Sequence, residues 1–143
     1  MNQPPTQQVT QRAAKMMHAA LFAGVVVIFA FLSAMRLVAD PSVTTGLALI
    51  LRYAGLAQLI VIGIVIFRIR NRIPAFGGGD DIDGWWATSG RAVVLTWVLS
   101  EATATLAGVI WFLTADPAML VVVVAALVLQ YRLRPWVWTA PES

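Results

Sequence analysis

Four stretches of the chain are almost wholly apolar, and short polar segments separate them. The stretches cover about residues 13–39, 44–67, 92–114 and 118–131. The first three have roughly the 20 residues that a helix needs to cross a bilayer, and the fourth is shorter. Pro41 and Pro117 each follow an aspartate at a boundary, where proline disfavours helix. The pattern predicts an all-α integral membrane protein, a single domain of four antiparallel transmembrane helices.

Two polar segments stand apart from these stretches. Residues 1–11 are rich in Pro, Gln and Thr and have little to bury, so we expect a mobile tail. Residues 68–91 form a connector whose sequence GGGDDIDG contains three aspartates, Asp80, Asp81 and Asp83. A calcium loop would need more oxygen ligands and a terminal glutamate. We therefore expect a flexible linker, with a helix cap at Asp83 or Ser89.

Composition supports the membrane class and excludes several kinds of chemistry. Of the 143 residues, 59% are hydrophobic and 12% charged, where soluble domains have about 25% charged residues. There is no cysteine and one histidine, which excludes disulfides, thiolate metal sites and a thiol nucleophile. No Ser/His/Asp constellation has enough members for catalysis. We expect no catalytic residue, no metal site, no bound cofactor and no enzymatic activity.

Basic residues predict the orientation in the membrane. Most of the lysines and arginines flank the first stretch, occupy the connector 68–91 or follow the fourth stretch. The positive-inside rule then places both termini and the connector in the cytoplasm. We expect five of these side chains to meet lipid headgroups: Arg68, Arg70, Arg72, Arg132 and Arg134. Arg36 is expected to snorkel to the outer interface or to pair with Asp40. The net charge of +3 gives no sign of nucleic-acid binding.

Glu101 stands inside the third apolar stretch. A carboxylate at such a depth costs about 2.5–3.5 kcal/mol on insertion scales. Arg52 lies about 12 Å from the outer end of the second stretch, near the level expected for Glu101. We expect the two to form a structural pair between helices. The alternatives are a site on a proton or ion path and a contact with a partner subunit.

Small residues indicate where helices approach closely. Gly55 and Gly63 lie in the second stretch, and Ser100, Ala104 and Gly108 repeat every four residues in the third. Such rows allow close contact between transmembrane helices. We expect a protein that works by packing, as an accessory or structural subunit of a larger membrane complex or as a homo-oligomer. Its expected partners are the lipid bilayer and other membrane subunits or copies of itself.

Three resemblances add alternatives. The stretch SEATATLAGVIWFLTADPAML, residues 100–120, with the later Arg134-Pro135, resembles small four-helix bacterial membrane proteins of unassigned function. Over one helix it is also similar to the ion-carrying helix of rotary ATPase subunit c. That resemblance implies a proton- or ion-translocating protein in which Glu101 carries the proton. The spacing of Ala14 and His18 is similar to the light-harvesting pattern and implies a pigment- or haem-binding subunit with His18 as ligand.

Overall fold

The computed structural model describes residues 10–39, 41, 43–77 and 81–139. Those ranges contain five helices and no strand: α1 (Gln11–Val38), α2 (Thr45–Arg70), α3 (Ile82–Thr114), α4 (Pro117–Arg132) and α5 (Pro135–Trp138). The prediction of an all-α chain is thus confirmed over the described residues. The predicted tail up to residue 9, Asp40 as a partner for Arg36, and Asp80 lie outside them.

Three of the described helices, α1, α2 and α3, are long and apolar enough to cross a membrane. They contain 28, 26 and 33 residues. The fourth apolar helix, α4, has 16 residues, or about 24 Å at 1.5 Å per residue. That is shorter than the hydrocarbon core of about 30 Å.

The third helix begins at Ile82 and not near residue 92 as predicted. The Asp81 carboxylate accepts hydrogen bonds from the backbone N–H groups of Asp83 and Gly84, both at 3.2 Å. This cap starts the helix, so the predicted caps at Asp83 and Ser89 were wrong. Trp85 and Trp86 lie in the first turns with 7% and 0% exposure. Their burial stabilises the first turns of α3. The glycines and aspartates that precede these turns had indicated a flexible linker.

The third helix is the centre of the fold, because α1, α2 and α4 all pack against it. Its buried residues are mostly small or aromatic, and several carry hydroxyl groups. In contrast, α1 and α2 bury few residues and expose large apolar side chains such as Phe31, Ile50 and Phe67. An apolar outer surface around a buried central helix fits a lipid environment.

The core has two main layers along α3. One layer gathers Trp85, Trp86 and Trp97 with Leu133 and Ile66, near the α2 C-terminus and the α4 end. The other, near the turn between α3 and α4, is built from smaller or flexible residues: Ala107, Ile110, Met119, Val122 and Val123. Trp85 and Trp86 therefore belong to the protein core.

Four of the five predicted packing residues lie in helix contacts. Ser100 and Ala104 are buried in α3, and Gly108 faces Phe29 and Leu32 of α1. Gly55 is buried against α4, where an added Cβ would lie 2.7 Å from Met119 Sδ. The fifth residue, Gly63, has no described atom within 4 Å of a Cβ position. Gly63 therefore makes no close contact within the described part of the chain, and its role as a packing residue towards another chain stays a prediction.

The two glycines of α2 provide a matched test of the packing. We expect Gly55→Leu to destabilise the protein by about 1–3 kcal/mol, because the larger side chain would overlap Met119 and force α2 from α4. Gly63→Leu is expected to be neutral or stabilising by up to about 1 kcal/mol, because leucine favours helix more than glycine. Unfolding in detergent micelles measures both. Equal effects of the two substitutions would contradict the observed packing.

Candidate functional site

Glu101 lies on the side of α3 that faces a groove between α1 and α3. The groove has a volume of about 450 Å³, and its walls beside Glu101 are mostly apolar: Ile28, Val98, Ala102, Thr105, Leu106 and Val109. On the α1 side, the carboxylate lies beside Gly24, where an added Cβ would be 3.6 Å from Glu101 Oε1. The side chain is partly exposed. The groove is open to the surroundings of the protein and not enclosed by its helices.

The carboxylate of Glu101 has no hydrogen bond and no ion pair within the described ranges. The predicted pair with Arg52 was wrong: Arg52 Nε lies 3.4 Å from Asp116 Oδ2. Arg52 is about 10 Å from the start of α2, whereas Glu101 is about 20 Å from the end of α3. The arginine side chain therefore reaches the nearer carboxylate, in the turn between α3 and α4.

Hydroxyl groups next to Glu101 along α3 are used by the helix itself. Thr96, Ser100 and Thr103 donate to backbone carbonyl oxygens three or four residues earlier, at 2.7, 3.0 and 2.9 Å. Such bonds satisfy a hydroxyl proton without a second helix. Thr105 differs, because its side chain lines the groove and has no hydrogen bond among the described residues.

The end of the molecule near Asp116 holds two arginines with protein partners. Arg36 donates a hydrogen bond to the carbonyl oxygen of Phe112, and its guanidinium lies 5.8 Å from the Trp111 ring centroid. Asp116, besides pairing with Arg52, caps α4 by accepting from the backbone N–H of Ala118 at 2.9 Å. Both arginines therefore have partners within the chain.

His18 lies at the opposite end of the fold and is buried. Its Nε2 is 3.0 Å from the carbonyl oxygen of Gln130, so this nitrogen donates, because a carbonyl can only accept. The ring stands edge-on to Trp97 at 5.0 Å and stacks on Phe22 at 6.4 Å. A pigment or haem ligated through Nε2 would have to break this bond and displace an aromatic neighbour. The geometry gives the pigment alternative no support.

Several polar groups near His18 were not anticipated from the sequence. Trp97 and Trp138 both donate to the carbonyl oxygen of Leu133, at 2.6 and 2.8 Å. The Gln130 amide and the Trp86 indole N–H are buried and have no partner among the described residues. Gln130 ends an apolar stretch, and nothing in that pattern separates a buried glutamine from an interfacial one.

The five arginines predicted to meet headgroups all lie at the His18 end of the helices. Arg68, Arg72 and Arg132 are exposed. Arg70 lies 5.9 Å from the ring centroid of Trp138, and Arg134 lies 4.6 and 5.0 Å from those of Tyr131 and Trp136. Arg70 and Arg134 therefore have aromatic partners that hold the guanidinium near one surface. Over the described ranges, no group of three His, Asp or Glu residues could hold a metal ion.

The site and fold define an α-helical chain with three helices of membrane-spanning length and one open, lone carboxylate on the central helix. Comparison with protein-family models, curated proteins and solved structures finds no match to this chain.

Asp116 performs two tasks that two substitutions separate. Asp116→Asn keeps an oxygen to cap α4 but loses the charge that faces Arg52. Because the Arg52 side chain is 46% exposed near the end of the helices, we expect a loss below about 1 kcal/mol. Asp116→Ala also removes the cap and is expected to cost about 1 kcal/mol more. Unfolding free energies in micelles measure the difference. An Arg52→Gln change should add little to Asp116→Asn, and equal losses for Asn and Ala would contradict the capping role.

Proposed function

We propose that this chain is a non-enzymatic integral membrane protein that assembles with other membrane subunits through the groove between α1 and α3. The observation that carries the proposal is Glu101, a carboxylate on the central helix that faces outward and has no partner in the described part of the chain. A polar group on an outward face in lipid is costly, and a neighbouring chain that supplies a partner lowers this cost.

The distribution of charge supports a bundle of four antiparallel transmembrane helices. Arg36, Arg52 and Asp116 all lie near one end of the helices, and the other arginines of the described helices lie towards the opposite end. By the positive-inside rule, the arginine-rich end and both termini would be cytoplasmic. The resemblance to small four-helix bacterial membrane proteins favours a bacterial inner membrane. The short helix α4 would span with its ends near the headgroups, aided by Tyr131 and Trp136, which are exposed at its inner end.

The filled interior favours assembly over conduction through the bundle. Trp86, Trp97 and Met119 are fully buried between the helices, and the interior hydroxyls of α3 donate to their own helix. A water-filled path between the helices would require polar groups turned towards it. The acidic side chain instead lies at the outer surface, where another chain can reach it.

Blocking the groove tests assembly. Ala102 is exposed in the groove, and Val124 of α4 is 59% exposed elsewhere. We expect Ala102→Trp to reduce a complex, extracted in mild detergent from the membranes of the source cell, to the 15.5 kDa chain. Val124→Trp is expected to leave the complex intact. Native mass spectrometry measures both, and a monomeric wild-type chain, or a complex that survives Ala102→Trp, would contradict the proposal.

Proton or ion translocation by Glu101 is the second candidate function. It is favoured by the same free carboxylate, which no cation in the described part of the chain neutralises. Translocation predicts proton flux into vesicles that contain the purified protein and loss of that flux in Glu101→Gln, with the fold unchanged by circular dichroism. Absence of flux through the wild-type protein, or flux that persists in Glu101→Gln, would exclude this function for Glu101.

A further inference from the structure

We propose that the groove between α1 and α3 receives a transmembrane helix of a different protein, and that this helix carries a lysine or arginine at the level of Glu101. The inference rests on the proposed function, because it names the partner that the groove would bind.

The groove has one charged group, Glu101, one hydroxyl group, that of Thr105, and otherwise apolar walls. Ile28, Val98 and Leu106 lie around the carboxylate, with Val109 further along α3. A wholly apolar helix would fill such a groove by packing. It would also bury the Glu101 carboxylate away from water and give it no partner. Removing an ionised group from water without a counter-charge is far more costly than doing so with one. A basic residue on the incoming helix is therefore the complementary chemistry.

A second copy of this chain does not supply that cation. Arg36 and Arg52 are engaged near the Asp116 end, and the other basic residues of the described part lie towards the far ends of the helices. A two-fold symmetric contact through the groove would place Glu101 opposite Glu101 of the second copy. Two carboxylates at one level repel when ionised. The charge pattern thus selects a different protein.

The groups around Glu101 match a basic side chain. Thr105 follows by one helical turn, a spacing that brings side chains within about 5–6 Å on a helix surface, and its hydroxyl has no partner in the described ranges. An ammonium group has three donors and no acceptor, so the carboxylate and this hydroxyl can accept from it together. Gly24 and Ala102 border the carboxylate with little bulk, which permits close approach of a helix.

Designed single-span peptides test the inference without knowledge of the natural partner. Three Leu/Ala peptides with identical flanks would carry one lysine at successive helical turns, and a fourth would carry leucine there. Energy transfer between labelled peptide and labelled protein in phosphatidylcholine vesicles measures binding. We expect the best lysine peptide to bind wild-type protein about tenfold more tightly than the leucine peptide, the scale of one polar contact between helices in lipid. Glu101→Gln, which keeps the side-chain shape, should abolish this preference.

Matched variants make each outcome decisive. Gly24→Leu, which covers the carboxylate from the α1 side, should also abolish the preference, whereas Val124→Leu on α4 should retain it. Circular dichroism establishes that each variant is folded.

Equal binding of lysine and leucine peptides, or a lysine preference that survives Glu101→Gln, would overturn the inference. If Ala102→Trp nevertheless dissociates the natural complex, the proposed function stands and only the cationic partner is wrong. Self-association that increases in Glu101→Gln, with no peptide bound, would identify a second copy as the occupant and overturn the inference as well.

Discussion

Hydrocarbon offers no hydrogen-bond partner, so every polar group placed in it has to be satisfied by the protein. Most polar side chains along the long helices obey this constraint with partners that are close in space. Hydroxyls of α3 donate to the preceding turn of the same helix. Arg36 uses a free carbonyl near the end of α3, and Arg52 uses the capping aspartate of α4. The carboxylate of Glu101, in contrast, has no partner among the described residues and lies at the outer surface of the helices.

The same constraint accounts for the central position of α3. A helix whose hydroxyls are satisfied by its own backbone can be surrounded by others without needing polar partners from them. Its small residues then allow α1 and α4 to come close, as at Gly108 and Ala104. Beside Glu101, the small residues on α1 and α3 leave space between the two helices, and this space is the groove. The packing that builds the fold thus also forms the groove.

Length and hydrophobicity were enough to predict the long apolar helices, because the membrane imposes both on any helix that crosses it. They were not enough to place the start of α3. The glycines and aspartates before it favour a loop locally, and the burial of Trp86 that extends the helix is a tertiary effect. Depth along two helices likewise suggested Arg52 for Glu101, but a long arginine can extend towards either end, and Asp116 was nearer. Gly55 and Gly63 look alike in sequence, and only the position of α4 distinguishes them.

The length of α3 has a mechanical consequence. Its 33 residues span about 50 Å, some 20 Å more than a hydrocarbon core. In the proposed orientation this excess length would project from the bilayer on the cytoplasmic side as a rigid helix. There, the backbone N–H of Gln11 in the first turn of α1 donates a hydrogen bond to the Asp83 carboxylate in the first turn of α3, at 3.5 Å. Trp85 and Trp86 pack this part of α3 against the core. A change of about 10° in helix tilt, well within the range of membrane helices, would move its tip by roughly 3–4 Å. A helix that binds beside Glu101 and tilts α3 would therefore displace the N-terminal end of α3 outside the bilayer.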